Sequence, residues 1–170
     1  MSQPADGHAP PAARRHPRSV VALMVLLGLL AIGALQGGIA MVVNPYTPLG
    51  MSAEFLDGAP VDTYFWPGVF LLGIAAASLL TLAGLVTGWR WRWAASIETA
   101  VGYRWPWLGT VAVGGVLLAF EIAEVFLIPF HPVMHPLLIA GSAGLIALAL
   151  TPSARAHQRT RSRSARTGGR

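Results

Sequence analysis

The chain has 170 residues, of which 54% are hydrophobic and only 11% are charged, a balance that predicts one integral membrane domain with short tails. Its formal net charge of +5 does not predict a nucleic-acid partner, because the charges flank apolar runs instead of covering a soluble face. The absence of cysteine excludes disulfides, thiolate metal sites and thiol redox catalysis.

Four apolar runs separate the charged segments: Val20–Val43, Trp66–Val86, Trp107–Ile128 and Val133–Leu150. A helix needs about 20 apolar residues to cross a hydrocarbon core of roughly 30 Å, so the first three runs are long enough and the fourth is short. All twelve basic residues are Arg, and they lie in the two tails or between the second and third runs. The segment between the first two runs contains acids and no Arg.

This charge asymmetry follows the positive-inside rule. It predicts an all-α, integral membrane four-helix bundle, up-down and antiparallel, with both termini cytoplasmic. Exclusive use of Arg together with abundant Ala and Gly indicates a GC-rich bacterial genome. We therefore expect a multi-pass protein of the bacterial cytoplasmic membrane, with the transmembrane domain over residues 19–152.

Both tails have compositions that disfavour a packed core. Residues 1–18 are rich in Pro and small side chains and are predicted to be disordered. Residues 153–170 interleave Arg with Ser, Thr and Gly, which predicts a disordered cytoplasmic tail attracted to anionic lipid headgroups. An Arg/Ser-type RNA-binding tail is the alternative interpretation, but we expect no nucleic-acid partner.

Small residues at a spacing of four predict close packing between helices, since they let two backbones approach where lipid supplies no hydrophobic gradient. Gly33 and Gly37 form a G-x-x-x-G motif in the first run, although such a motif also arises by chance in a Gly-rich span. The second and fourth runs offer comparable small residues, namely Gly73, Ala77, Gly84, Gly141 and Gly144. These faces are candidates for contact with a second copy or a membrane partner.

The outer segment Asn44–Phe65 contains several local structural signals. Asn44-Pro45 should end the first helix, because proline removes a hydrogen-bond donor and disfavours helix in the preceding residue. Ser52–Leu56 is predicted to form one helical turn, and Asp62 or Thr63 to cap the second helix.

The inner segment Thr87–Trp105 contains the alternating motif Trp89-Arg-Trp-Arg-Trp93. The favoured interpretation is an interfacial belt, with indole rings at headgroup level and Arg beside anionic lipid. A lipid-disrupting peptide or a cation–π site is the alternative. Ala94–Tyr103 is predicted to be a short helix on the cytoplasmic surface.

Glu121 and Glu124 are the only acids inside an apolar run, and an intramembrane carboxylate is a functional hypothesis by default. Their spacing of three places them on one helix face, which continues towards His131. Gln36 is the only amide inside a run and lies at a similar depth, so it is the predicted hydrogen-bond partner of Glu121.

Four interpretations of this cluster remain open. The carboxyl of Glu121 could join helices through Gln36, or Glu121, Glu124, Gln36 and His131 could form the proton or cation site of a small transporter. The third interpretation is a divalent metal site built from Glu121, Glu124, His131 and one of Asp57 and Asp62, and the fourth is an unidentified small ligand.

Other chemistries are disfavoured. His131 and His135 are interrupted by Pro132 and followed by Pro136, so they do not form the i, i+4 pair of a helical zinc site. Because both histidines lie in one predicted loop, bis-histidine haem ligation between facing helices is not expected. The chain has no Gly-rich phosphate loop and no nucleophile elbow, so we expect neither an enzyme nor a cofactor.

Two stretches around the outer loop carry a resemblance: Asn44-Pro-Tyr-Thr-Pro-Leu-Gly-Met51 and Leu56-Asp-Gly-Ala-Pro-Val-Asp-Thr-Tyr-Phe-Trp-Pro-Gly68. Over residues 20–150 the chain resembles uncharacterised small four-transmembrane-helix proteins of high-GC Gram-positive bacteria. Here Ala59 and Val61 replace the Thr and Phe usual in that family around the proline. The resemblance implies the four-span architecture and no activity. The expected function is an accessory or structural membrane protein, and the alternative is a small transporter or proton/cation-binding protein.

Overall fold

The computed structural model describes residues 17–127 and 133–160. Residues 1–16 of the predicted N-terminal tail, the last ten residues and His131 lie outside this range. The helices are α1 (Arg18–Val43), α2 (Phe65–Thr87), α3 (Ala95–Val101), α4 (Trp105–Leu127), α5 (Met134–Leu150) and α6 (Pro152–Gln158). No strand occurs in the two described ranges, which confirms the prediction of an all-α chain.

Three helices are long and apolar enough to cross a membrane, namely α1, α2 and α4. Helix α5 has 17 residues, and it continues into α6 through a bend of 64°. If that bent pair is counted as one broken span, the described residues contain four candidate spans. The architecture is therefore compatible with a multi-pass membrane protein.

The four long helices pack in a closed series of pairs. Helix α1 contacts α2 and α5, and α4 contacts the same two helices. Their shared core contains apolar side chains such as Leu23, Ile74 and Leu145. Large apolar residues also cover the outside of the helices, and Phe126 is 84% exposed. A helix that is apolar on all sides suits a lipid environment.

The closest approach between α1 and α2 does not lie at the G-x-x-x-G motif, where a Cβ on Gly37 would meet only the Leu71 side chain, at 3.5 Å. No neighbouring atom lies within 4 Å of the position that a Cβ on Gly33 would occupy. The approach occurs instead at Gly38 and Gly68, where a Cβ on Gly38 would lie 2.9 Å from the Gly68 carbonyl oxygen. These two glycines let the helix backbones meet near the outer loop.

The outer loop begins where the sequence predicts. Helix α1 ends at Val43, and the side-chain amide of Asn44 then donates to the Thr47 hydroxyl at 3.0 Å. Residues Ala53–Leu56 form one turn of 3₁₀-helix, and the hydroxyl of Ser52 accepts from the Glu54 backbone N–H at 3.2 Å.

Tyr64 precedes α2 and ties the outer loop to that helix. Neither Asp62 nor Thr63 is the N-cap of α2; Tyr64 occupies that position without a side-chain cap, which corrects the prediction. Its hydroxyl donates to the Ser52 carbonyl at 2.9 Å, and its backbone N–H donates to the Pro45 carbonyl at 2.9 Å. Buried Tyr64 therefore holds the loop at two points, through its hydroxyl and through its backbone N–H.

The predicted disordered tail does not begin at residue 153, because α6 forms over Pro152–Gln158. Ala154 is fully buried, and Gln158 is 3% exposed. The backbone N–H of Arg104 donates to the Gln158 carbonyl at 2.9 Å, so α6 is joined to the segment before α4. Residues 161–170 are the part of the predicted tail that lies outside the described range.

The tryptophans pack against the protein as well as lining its surface. The ring of Trp91 stacks on Trp105 with centroids 4.9 Å apart, and the Trp105 indole N–H donates to the Trp89 carbonyl at 2.8 Å. Trp89 and Trp93 remain exposed, as an interfacial belt requires.

The buried carboxylate of Glu98 caps the start of α4. It accepts a hydrogen bond from the Trp105 backbone N–H at 2.9 Å, and this N–H has no partner within the helix.

Candidate functional site

The candidate site is built on the last two turns of α4. Glu121 is 1% exposed and Glu124 is partly buried, so the face that both residues share is turned into the protein. The spacing of three residues brings their carboxyl groups to adjacent levels of that face. The structure therefore brings together Glu121 and Glu124, two of the predicted site residues.

The third member of the site is His135, the second residue of α5. Its imidazole is 4% exposed. Pro136 follows it in the first turn of the helix, where a backbone N–H has no intrahelical partner and proline is tolerated. One ligand atom from each of Glu121, Glu124 and His135 lies within 4.8 Å of the other two.

Helix α2 also packs against α4. Burial raises the pKa of the Tyr64 phenol, and the charge of Glu124 raises it further. Phe120, which precedes Glu121 on α4, stacks on Phe70 of α2 with ring centroids 4.1 Å apart. The three ligand residues thus lie between the end of α4 and the first turn of α5, and α4 is held against α2 by an aromatic pair.

One carboxyl oxygen of the cluster lacks a hydrogen-bond partner among the described residues. Oε2 of Glu121 is buried and has no hydrogen-bond partner among the described residues. Leaving a buried acceptor unsatisfied costs about 1–3 kcal/mol, and more when the group is charged. Such an oxygen requires a proton, a water molecule or a cation, and it therefore points to a ligand.

The structure does not bring Gln36 into the cluster. Ala34 and Gly38 both face inward on α1, and Gln36 lies two residues from each of them. Two residues correspond to about 200° of rotation around the helix axis, so Gln36 points to the opposite side. Its side chain is consequently exposed, and no hydrogen bond joins it to Glu121 within the described part of the chain.

Two other predicted ligands are also absent from the cluster. Asp57 and Asp62 are exposed, and neither belongs to the group of three ligand atoms. The predicted position of His131 on the glutamate face falls outside the described residues.

Sequence reasoning missed His135 and Tyr64. The prolines around His135 predict a loop, yet Pro136 is also typical of the first turn of a helix. That signal predicts a helix beginning before Pro136 and so a histidine fixed at its start. No local pattern indicates that Tyr64 lies near Glu124, since that contact depends on how α2 packs against α4.

Two carboxylates and one imidazole are ligands for divalent metal ions, and the same carboxylates can hold a proton. Comparison of the chain with protein-family models, with curated proteins and with solved structures finds no match.

Proposed function

We propose that this protein is a small multi-pass protein of the bacterial cytoplasmic membrane that binds a cation at Glu121, Glu124 and His135. Its four long helices form an antiparallel bundle with both termini inside, and its role is non-enzymatic. Two observations carry the proposal: one ligand atom from each of the three side chains lies within 4.8 Å of the other two, and Glu121 has a buried carboxyl oxygen without a hydrogen-bond partner among the described residues.

With both termini inside, as proposed, the site lies in the outer half of the membrane. With the Arg-rich segments inside, α4 runs outward from Trp105. Glu121 lies six residues before the end of α4 at Leu127, which corresponds to about 9 Å along the helix. A cation therefore has a short route to the site from the outer surface.

The electrostatics of the site favour an occupant with positive charge. Transfer of an isolated ionised carboxylate into a low-dielectric region costs far more than a hydrogen bond returns. Two neighbouring carboxylates raise this cost further, because like charges oppose ionisation of the pair. A bound cation or proton removes the excess negative charge, so the site is suited to cation binding.

An accessory protein acting through helix contacts is the second candidate function. It is favoured by Gly33 and Gly73, which are exposed and have no neighbouring atom within 4 Å of the position that a Cβ would occupy. Such surfaces suit contact with another membrane helix. The cation-binding function is preferred because a helix-contact role gives no account of the unpartnered oxygen of Glu121.

The test is thermal unfolding of the purified full-length protein in detergent, with Na⁺, Mg²⁺, Ca²⁺, Mn²⁺ or Zn²⁺ added after chelator treatment. A ligand that binds only the folded state raises the unfolding midpoint. At least one cation should stabilise the wild type and fail to stabilise E121Q/E124Q. The exposed acid pair supplies the matched control D57N/D62N, which should respond like the wild type. The proposal fails if no cation shifts the wild-type midpoint, or if E121Q/E124Q shifts equally.

A further inference from the structure

We infer that the cation is a divalent first-row transition metal of the zinc class, and that His135 is the ligand that selects it. The inference rests on the proposed function and specifies the ligand of the same site. Glu121 and Glu124 each contribute one carboxylate oxygen, and His135 contributes one ring nitrogen.

The three ligand atoms determine which metal ions the site prefers. Imidazole suits Zn²⁺, Cu²⁺, Fe²⁺ and Ni²⁺, whereas Ca²⁺ takes six to eight oxygen ligands and Mg²⁺ requires near-octahedral oxygen coordination. Softer ions that prefer thiolate find no such ligand, because the chain has no cysteine. A set of two oxygens and one nitrogen is therefore matched to a borderline divalent ion.

The geometry is close to that of a bound ion. With metal–ligand bonds of about 2.1 Å, neighbouring ligand atoms of a tetrahedral site lie roughly 3.4 Å apart. The three ligand atoms lie within 4.8 Å of one another, so they need to converge by at most about 1.4 Å. Terminal rotation of a glutamate carboxyl is soft and supplies a movement of this size.

The supporting elements hold the ligands in place before the ion arrives. Two ligands lie on successive turns of α4, and the third is fixed in the first turn of α5, which packs against α4. A metal-binding histidine uses one ring nitrogen for the ion and the other for an orienting hydrogen bond. Three protein ligands leave a fourth tetrahedral position open, as in zinc sites that exchange water or another ligand.

The charge balance distinguishes a divalent from a monovalent ion. Two ionised carboxylates and one neutral imidazole carry a charge of −2, which a divalent cation cancels. A sodium ion would leave a net negative charge in a site whose Glu121 and His135 are 1% and 4% exposed. Since an uncompensated buried charge is expensive, the divalent ion is favoured.

The experiment is Co²⁺ binding to chelator-treated, full-length protein in detergent, followed by the visible d–d absorption of the ion. We expect one Co²⁺ per chain, displaced by equimolar Zn²⁺ and not by an excess of Mg²⁺ or Ca²⁺. H135N should weaken Co²⁺ binding by about 100-fold or more, since loss of even an outer-shell partner costs 10–100-fold. H157N, which changes an exposed histidine on α6, is the matched control and should bind Co²⁺ like the wild type.

The outcomes separate this inference from the proposed function. Equal Co²⁺ binding by H135N and the wild type, with both folded by circular dichroism, overturns the inference. Stabilisation of the wild type by Ca²⁺ or Na⁺ that matches or exceeds that by Zn²⁺ also overturns it, whether or not H135N folds. Stabilisation by Ca²⁺ or Na⁺ would still support a cation site, and only its selectivity for zinc would be wrong. If no cation stabilises the wild type, the proposed function is wrong as well.

Discussion

At the scale of single residues, the environment of Glu121 separates a helix-joining role from a binding role. A glutamate that joins helices needs a hydrogen-bond partner for its carboxyl group, and the predicted partner Gln36 is exposed. The buried Oε2 of Glu121 has no partner in residues 17–127 and 133–160. The side chain is thus placed at a cost to stability, which the proposed cation would offset.

This leads to a prediction for Glu121→Leu. In chelator, the variant should be at least as stable as the wild type, because an apolar side chain of similar size removes an unsatisfied buried acceptor. With Zn²⁺ present, the wild type should gain stability and Glu121→Leu should not. Unfolding in detergent with and without Zn²⁺ measures both effects. A loss of about 1–2 kcal/mol in chelator, the upper range for hydrogen bonds between membrane helices, would instead support the helix-joining role.

The residue scale also shows why the site was only partly predictable. Glu121 and Glu124 stand out in the sequence because charge is rare inside an apolar run. His135 has no such contrast, since its position beside the glutamates depends on where α5 begins. The predicted hydrogen bond between Glu121 and Gln36 is not found in the part of the chain that the structure describes. Equal depth in the membrane does not specify which way a side chain faces around the helix axis, and Gln36 faces outward on α1.

At the scale of helices, the decisive contact is the close approach of α1 and α2 at Gly38 and Gly68. Spacing alone could not identify it, because α1 is apolar all round and offers no contrast between a buried and a lipid-facing side. The G-x-x-x-G motif therefore marked a face of α1 where Gly33 meets no neighbour.

Two alanine substitutions test this contact. Gly38→Ala places a Cβ 2.9 Å from the Gly68 carbonyl oxygen, so α1 and α2 must separate. Overpacking of this kind typically costs about 1–3 kcal/mol. Gly33→Ala, the matched control, meets no atom within 4 Å and should not destabilise the protein. Unfolding of both variants in detergent decides the matter, and equal effects would show that Gly38 does not lie in the contact.

The second helix-scale result concerns α6, which replaces part of a predicted disordered tail. Its composition is polar, but Ala154 and Gln158 pack inward, and the Gln158 carbonyl accepts from the Arg104 backbone N–H. A sequence pattern with so short an apolar face gives little indication of helix, and the contact with the segment before α4 supplies the missing stabilisation.

Truncation tests whether α6 is part of the folded domain. A chain ending after Thr160 keeps every described contact of α6 and should unfold like the wild type. A chain ending after Thr151 removes the buried Ala154 and the acceptor for the Arg104 N–H, so its unfolding midpoint should fall. The comparison is made by thermal unfolding in detergent. Equal midpoints for the two truncated chains would assign residues 152–160 to a dispensable tail.

At the scale of the whole molecule, composition and charge asymmetry account for most of what was predictable. The apolar runs marked the long helices, because a membrane span needs an uninterrupted apolar length. The Trp-rich inner segment was predicted less well, since the stacking of Trp91 on Trp105 depends on the path of the chain through α3. Local pattern thus specifies the spans, and packing between distant segments specifies their connections.

The proposed orientation has its own test. Reporter fusions ending at Glu98 should report the cytoplasm, and fusions ending at Asp57 should report the outside, because the Arg residues flank the former segment and avoid the latter. Activity of a periplasmic reporter measures the two fusions side by side. An outside signal at Glu98 would reverse the bundle and place the cluster of Glu121, Glu124 and His135 near the cytoplasmic surface.

The central claim is that one cation binds between α4 and α5. Equilibrium dialysis of the full-length protein in lipid nanodiscs against Zn²⁺ at fixed pH measures this directly. We predict one bound ion per chain for the wild type and for D57N/D62N, and none for E121Q/E124Q at the same free Zn²⁺ concentration. Equal Zn²⁺ binding by the wild type and a folded E121Q/E124Q variant would contradict the account.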